Sequence, residues 1–139
     1  MSSIRCFAAG LFILVLFGCG PKVNHAPASG IITLDGTPLV NVNISTQPVE
    51  TGGSTVVNPG SEGITDENGR YTLNLLGLGT PGAVIGEHAV YITFGKDPTH
   101  QAPGSNNPKI PARYWNGSVG FTVPEEGSSE LNFELTSKR

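Results

Sequence analysis

The chain has 139 residues, 8 Lys/Arg against 11 Asp/Glu for a formal net charge of −3, and only 2 cysteines. With no basic excess and no basic cluster, nucleic acid is not an expected partner. The length suits one domain, large enough to bury a core without covalent staples.

The first eighteen residues differ in chemistry from the rest: a short polar start carrying Arg5, an apolar run over residues 7–17, then Gly18 and Cys19. Eleven residues at about 1.5 Å each cover about half of a ~30 Å bilayer core, so the run reads as a cleaved signal peptide and not as a span. Leu16-Phe17-Gly18-Cys19 resembles the lipobox of bacterial lipoprotein signal peptidase, with an aliphatic residue three before the cysteine and a small residue directly before it. That resemblance implies cleavage before Cys19, a diacylglycerol on its thiol and a third acyl chain, such as palmitate, on the freed amine. At ~0.8 kcal/mol per buried methylene, two or three chains anchor stably where one does not. Removing 18 of the 139 residues takes away Cys6 and Arg5 and leaves 121 residues with a net charge of −4. With Cys19 acylated, no thiol remains for a disulfide or a metal site.

Residues 19–29 are rich in small residues and proline, lack apolar periodicity, and read as a flexible tether. From residue 30 to 136 no stretch shows helical spacing over three turns, whereas short period-two runs recur between Gly, Pro, Asn and Asp clusters, which is an all-β pattern. Residues 30–34 meet the Asp35-Gly36 turn and resume over 39–46, with Val42 and Ile44 on the buried face. Residues 47–62 read as a loop, with Thr55, Val56 and Val57 as a short edge strand. A second hairpin runs from 63–66 through Glu67-Asn68-Gly69 into 70–75, where Tyr71, Leu73 and Leu75 alternate with polar residues. Residues 77–86 read as a Gly-rich loop. Residues 87–94 predict a central strand with His88, Val90, Ile92 and Phe94 on one face, and 95–111 a long proline-bearing surface loop. A last hairpin joins 119–123 to 131–135 through the acidic turn Glu125-Glu126-Gly127. Seven strands in antiparallel hairpins favour a two-sheet β-sandwich over a barrel.

The order of these motifs, Gly30 through Asp35-Gly36 to Leu39, then Thr65-Asp66 through Asn68-Gly69-Arg70-Tyr71, then Gly86-Glu87-His88 to Ile92, is similar to the carboxypeptidase regulatory-like domain of the transthyretin-like (prealbumin-like) sandwich group. Ile110-Pro111 and Arg113-Tyr114, followed by a hairpin, further resemble the small planctomycete lipoproteins that carry this domain. The resemblance spans about residues 29–136 and implies a seven-stranded sandwich serving as an accessory module, not a catalyst. An insertion at Pro81-Gly82 and the long 47–62 loop depart from the pattern. The enzymatic transthyretin-like branch, the hydroxyisourate hydrolases, ends in Tyr-Arg-Gly-Ser, whereas this chain ends Thr136-Ser137-Lys138-Arg139.

Candidate chemistry is sparse. The Asp66-Glu67-Asn68-Gly69 turn offers alternating oxygen ligands but too few to close the shell of a hard cation, and reads first as a hairpin turn. His25, His88 and His100 fall in a tether, a strand and a loop with no metal-ligand spacing, so no metal and no cofactor are expected. No nucleophile elbow is present. Asn43 and Asn116 open Asn-x-Ser matches that a bacterial leader makes fortuitous. Arg113, Tyr114 and Trp115 form the candidate ligand-binding cluster: exposed aromatics stack on sugar rings or partner side chains, whereas the same rings turned inward would seal the end of the sandwich. The sequence therefore predicts a lipid-anchored protein of the cell envelope, on an outer membrane facing periplasm or surface. Its domain is expected to act as a structural or protein-binding module. The alternative is a carbohydrate-binding module that uses the aromatics of the 95–118 region on an envelope polysaccharide.

Overall fold

The computed structural model describes residues 22–53, 57–95 and 107–138. The expected signal peptide, Cys19, Thr55 and Val56 of the expected edge strand, His100 and the middle of the 95–111 loop lie outside the described residues. Within them the chain is all-β, in several sheets with no closed barrel. The strands are β1 His25–Ala26, β2 Ser29–Leu34, β3 Thr37–Pro38, β4 Val42–Pro48, β5 Ser61–Ile64, β6 Arg70–Thr72, β7 Asn74–Leu75, β8 Ala83–Val84, β9 Gly86–Phe94, β10 Val119–Val123 and β11 Phe133–Leu135. One five-stranded sheet has the order β10-β9-β4-β5-β7. The facing layer centres on β2, whose one edge carries β11 and whose other is shared in tandem by β6 and β3. Alternation is the physical cause: Val42, Ile44 and Thr46 of β4 are buried, as are His88, Val90 and Ile92 of β9, while the residues between them are less so.

The expected hairpins open at their turns but do not stay in one sheet. Asp35 (φ 49°) and Gly36 (φ 85°) form the tight turn between β2 and β3. The return arm then lasts only two residues, because Asn41 adopts φ 55° and sends the chain across to the other layer as β4. The 66–70 turn is closed by Asp66, whose Oδ1 accepts the N–H groups of Asn68 (2.8 Å) and Arg70 (3.0 Å). After it β6 pairs with β2, and only β7 returns to β5. The last pair is not a hairpin at all: β10 lies beside β9, and β11 runs parallel to β2, so the layers are not wholly antiparallel. The 124–132 segment bridges the layers; Phe121 stacks on its strand neighbour His88 (5.5 Å between ring centroids) and meets Phe133 of the other layer at 5.9 Å. Val57, expected in an edge strand, is exposed and belongs to none.

The largest difference lies at the amino-terminal side. Residues 24–29, expected within the tether, are part of the fold: His25 and Ala26 pair with Val84 and Ala83, and Ile85 donates its N–H to the Asn24 carbonyl (3.1 Å). Ala26 and Ala28 are buried in the core, and Leu73 N–H bonds to the Ala28 carbonyl. The physical reason is close backbone approach. A Cβ on Gly82 would sit 2.5 Å from the Ala26 carbonyl oxygen and one on Gly127 2.6 Å from that of Pro27, so glycines on both sides let a small-residue segment slot in.

Candidate functional site

The three residues singled out as ligand-binding, Arg113, Tyr114 and Trp115, stand together on and after a single 3-10 turn, Ala112–Tyr114, at the end of the domain opposite β1. All three are engaged internally. Arg113 Nη2 donates to the carbonyls of Thr136 (2.5 Å) and Lys138 (2.8 Å) and to Thr136 Oγ1 (2.9 Å), while its guanidinium stacks 4.6 Å from the Tyr114 ring centroid. Tyr114 is buried, and its hydroxyl accepts the Thr136 N–H (3.1 Å). The hydroxyl of Thr136 and then the Arg113 cation favour the phenolate and hold the Tyr114 pKa below the usual tyrosine range. Trp115 is half-buried against the core, and its indole N–H donates to the Ile110 carbonyl (3.3 Å). The cluster clamps residues 136–138 and covers the end of the layers. Asp35, on the same end, accepts the Ser137 N–H (3.0 Å), and the hydrogen bonds from Ser137 keep its carboxyl below the ordinary range.

Asp66 is likewise occupied by its turn. It borders a groove of about 700 Å³ beside β5 and β6, where Asn41, Asn43, Glu62, Ile64, Arg70 and Asn74 also line the wall. The groove offers amides, carboxylates and one guanidinium, a set able to make hydrogen bonds but containing no nucleophile beside a base. Among the described residues no three of His, Cys, Asp and Glu gather where they could hold a metal ion.

His88 is a buried titratable group on the inner face of β9. It is 2% exposed, its Nε2 bonds to the Val84 carbonyl (2.7 Å), and its ring stacks on Phe121. A carbonyl accepts, so Nε2 carries the proton and buried Nδ1 is left without a partner, as are Thr46 Oγ1 and Ser61 Oγ. Burial lowers the His88 pKa below its ordinary 6.5, opposed in part by the Val84 bond. A group whose folded pKa is depressed stabilises fully above its unfolded value, and that contribution is lost as pH falls below about 6.5. Urea midpoints are therefore expected to drop between pH 7.5 and 5, and His88→Leu is expected to flatten that decline. An unchanged pH profile in the variant would remove His88 as its cause.

Two features escaped the sequence patterns. Tyr71, expected only as an apolar strand residue, turns its hydroxyl to the Leu131 carbonyl (2.5 Å), and burial pushes its pKa far above the usual range. Leu76, just before the expected Gly-rich loop, and Leu78 within it are both exposed. No protein family matches the chain, and neither a curated protein nor a solved structure matches it.

Proposed function

We propose that this chain is a lipid-anchored protein of the bacterial cell envelope. Its all-β domain, in this reading a seven-stranded transthyretin-like sandwich of the carboxypeptidase regulatory-like kind, is a non-catalytic structural or protein-binding module. The observation that carries the reading is the apolar run over residues 7–17 closing on Leu16-Phe17-Gly18-Cys19. Two or three acyl chains on Cys19 would hold the domain on a membrane, on the outer membrane facing periplasm or surface. The internal engagement of Arg113, Tyr114 and Trp115 favours a structural role for them over a sugar platform, and gives the carbohydrate-binding alternative no added support.

The test is genetic and chemical together. Cys19→Ala, or treatment of cells with globomycin, is expected to stop maturation, and the variant is expected to leave the detergent-soluble membrane fraction. Unchanged mass and unchanged fractionation of both would overturn the anchoring.

A further inference from the structure

Strand register brings several loops to one end of the domain. Pro48 pairs with His88, Thr46 with Ser61, Ser61 with Leu75 and Val123 with Gly86. The residues after β4, before β5, after β7, before β9 and after β10 thus emerge side by side. β1 closes on β8 at the same end, and the chain leaves it toward Cys19. Among the described residues six large apolar side chains are exposed, and four of them sit here: Val49 (47%), Val57 (91%), Leu76 (38%) and Leu78 (59%). The two leucines flank Gly77 (φ 76°) in a turn closed by Gly79 N–H on the Leu75 carbonyl (3.0 Å). Leu76 N–H bonds to the Gly60 carbonyl (2.9 Å), tying that turn to the neighbouring loop. Exposed apolar residues scattered singly are ordinary, but gathered at one end they mark a contact surface.

The geometry points to the occupant. We propose that this end rests on the bilayer to which Cys19 is anchored, with Leu76, Leu78, Val49 and Val57 at the boundary between headgroups and acyl chains. The inference rests on the lipid-anchor reading above and deepens it. Lys22 is three residues from Cys19, and three extended residues reach at most about 11 Å. With Asn24 already bonded to Ile85, the slack of an eleven-residue tether is absent, and the lipid surface lies beside this end of the domain. So short a link gives the surface a high effective concentration, so that contacts too weak for free association still form.

Charge sets which lipid surface is favoured. Glu87, Glu125 and Glu126 are exposed on the β9–β10 side of this end and Glu50 on the loop after β4, with Lys22 the one Lys or Arg among the described residues there. The leucine turn lies on the β5–β7 side. Anionic headgroups repel the acidic half, so the contact is strongest on zwitterionic lipid, weaker on anionic lipid, and recovers there as salt screens the repulsion over a Debye length of ~10 Å.

With Cys19 acylated, a cysteine introduced at Leu78 or at Asp35, on the opposite end, is the single thiol available for an environment-sensitive fluorophore. The lipidated full chain is placed in phosphatidylcholine vesicles whose acyl chains are brominated. The label at Leu78→Cys is expected to be quenched roughly twofold or more relative to the label at Asp35→Cys, and less when phosphatidylglycerol is added. A label at Val49→Cys is expected to lose its quenching in the Leu76→Ser/Leu78→Ser background. Equal, weak quenching at both ends in protein that floats with the vesicles would overturn the docking and leave the anchor standing. Protein that fails to float would overturn both.

Discussion

Gly30→Ala is expected to lower the stability of the domain by about 2–3 kcal/mol, the cost of forcing an added atom into a packed backbone crossing. Gly30 is buried in β2, and a Cβ there would stand 2.1 Å from the Leu131 carbonyl oxygen and 3.2 Å from the Asn132 nitrogen. The intruding neighbour is backbone, so no side-chain rotation relieves it. Moving residue 131 aside would break the Leu131 N–H bond to the Ser29 carbonyl (3.0 Å) and the bond from the Tyr71 hydroxyl to the Leu131 carbonyl. Gly36, by contrast, has nothing within 4 Å of its ideal Cβ, and Gly36→Ala meets only its φ of 85°, at roughly 1–2 kcal/mol. Urea unfolding with the slope held constant measures both. A Gly30→Ala midpoint equal to the parent's would mean that the 128–132 segment does not cross β2 where described.

Ile92→Ala is expected to cost about 3–4 kcal/mol, from the lost transfer of the side chain and the cavity left behind. Ile92 is 0% exposed in the middle of β9, opposite Ile44, also 0% exposed, and belongs to the core with Leu73, Val90 and Leu135. Against a typical total of about 5–15 kcal/mol, that is about a fifth of the stability or more. Ile64→Ala, on β5 at 66% exposure, serves as the comparison and is expected to stay within about 0.5 kcal/mol of the parent. A larger loss at Ile64 than at Ile92 would mean that the inner and outer faces of the five-stranded sheet are interchanged.

The difference between those two isoleucines was legible from alternation only in part. Period two places Val42, Ile44, Val90 and Ile92 on a common face, because a strand with one side in a core leaves that record in its side chains. It says which face is buried and not which strand is the neighbour. Hence the turns at Asp35-Gly36 and Asp66–Arg70 were readable, while the crossings at Asn41, at Arg70–Thr72 and over residues 124–132 were not. Residues 24–29 were illegible for another reason. Ala26 and Ala28 bury too little apolar surface to stand out, and what seats them is the bare backbone of Gly82 and Gly127, far away in sequence.

The candidate site was legible as residue types and not as contacts. Arg113, Tyr114 and Trp115 announce themselves as a cation beside two aromatics, but their acceptors, the carbonyls of Thr136, Lys138 and Ile110, are backbone atoms that no side-chain pattern encodes. The exposed leucines of the 76–79 turn give the converse case. Apolar residues in and beside a Gly-rich loop carry no period, and only the strand pairing shows that they lie at the same end of the domain as β1 and β8.

The central claim is that Cys19 becomes the acylated first residue of the mature chain, and the intact mass of the protein extracted from membranes tests it most directly. The predicted result is the mass of a polypeptide beginning at Cys19, increased by a diacylglycerol and an amide-linked acyl chain or by the diacylglycerol alone. A membrane-extracted chain that still begins at Met1, or one cleaved near Cys19 and carrying no lipid, would contradict it.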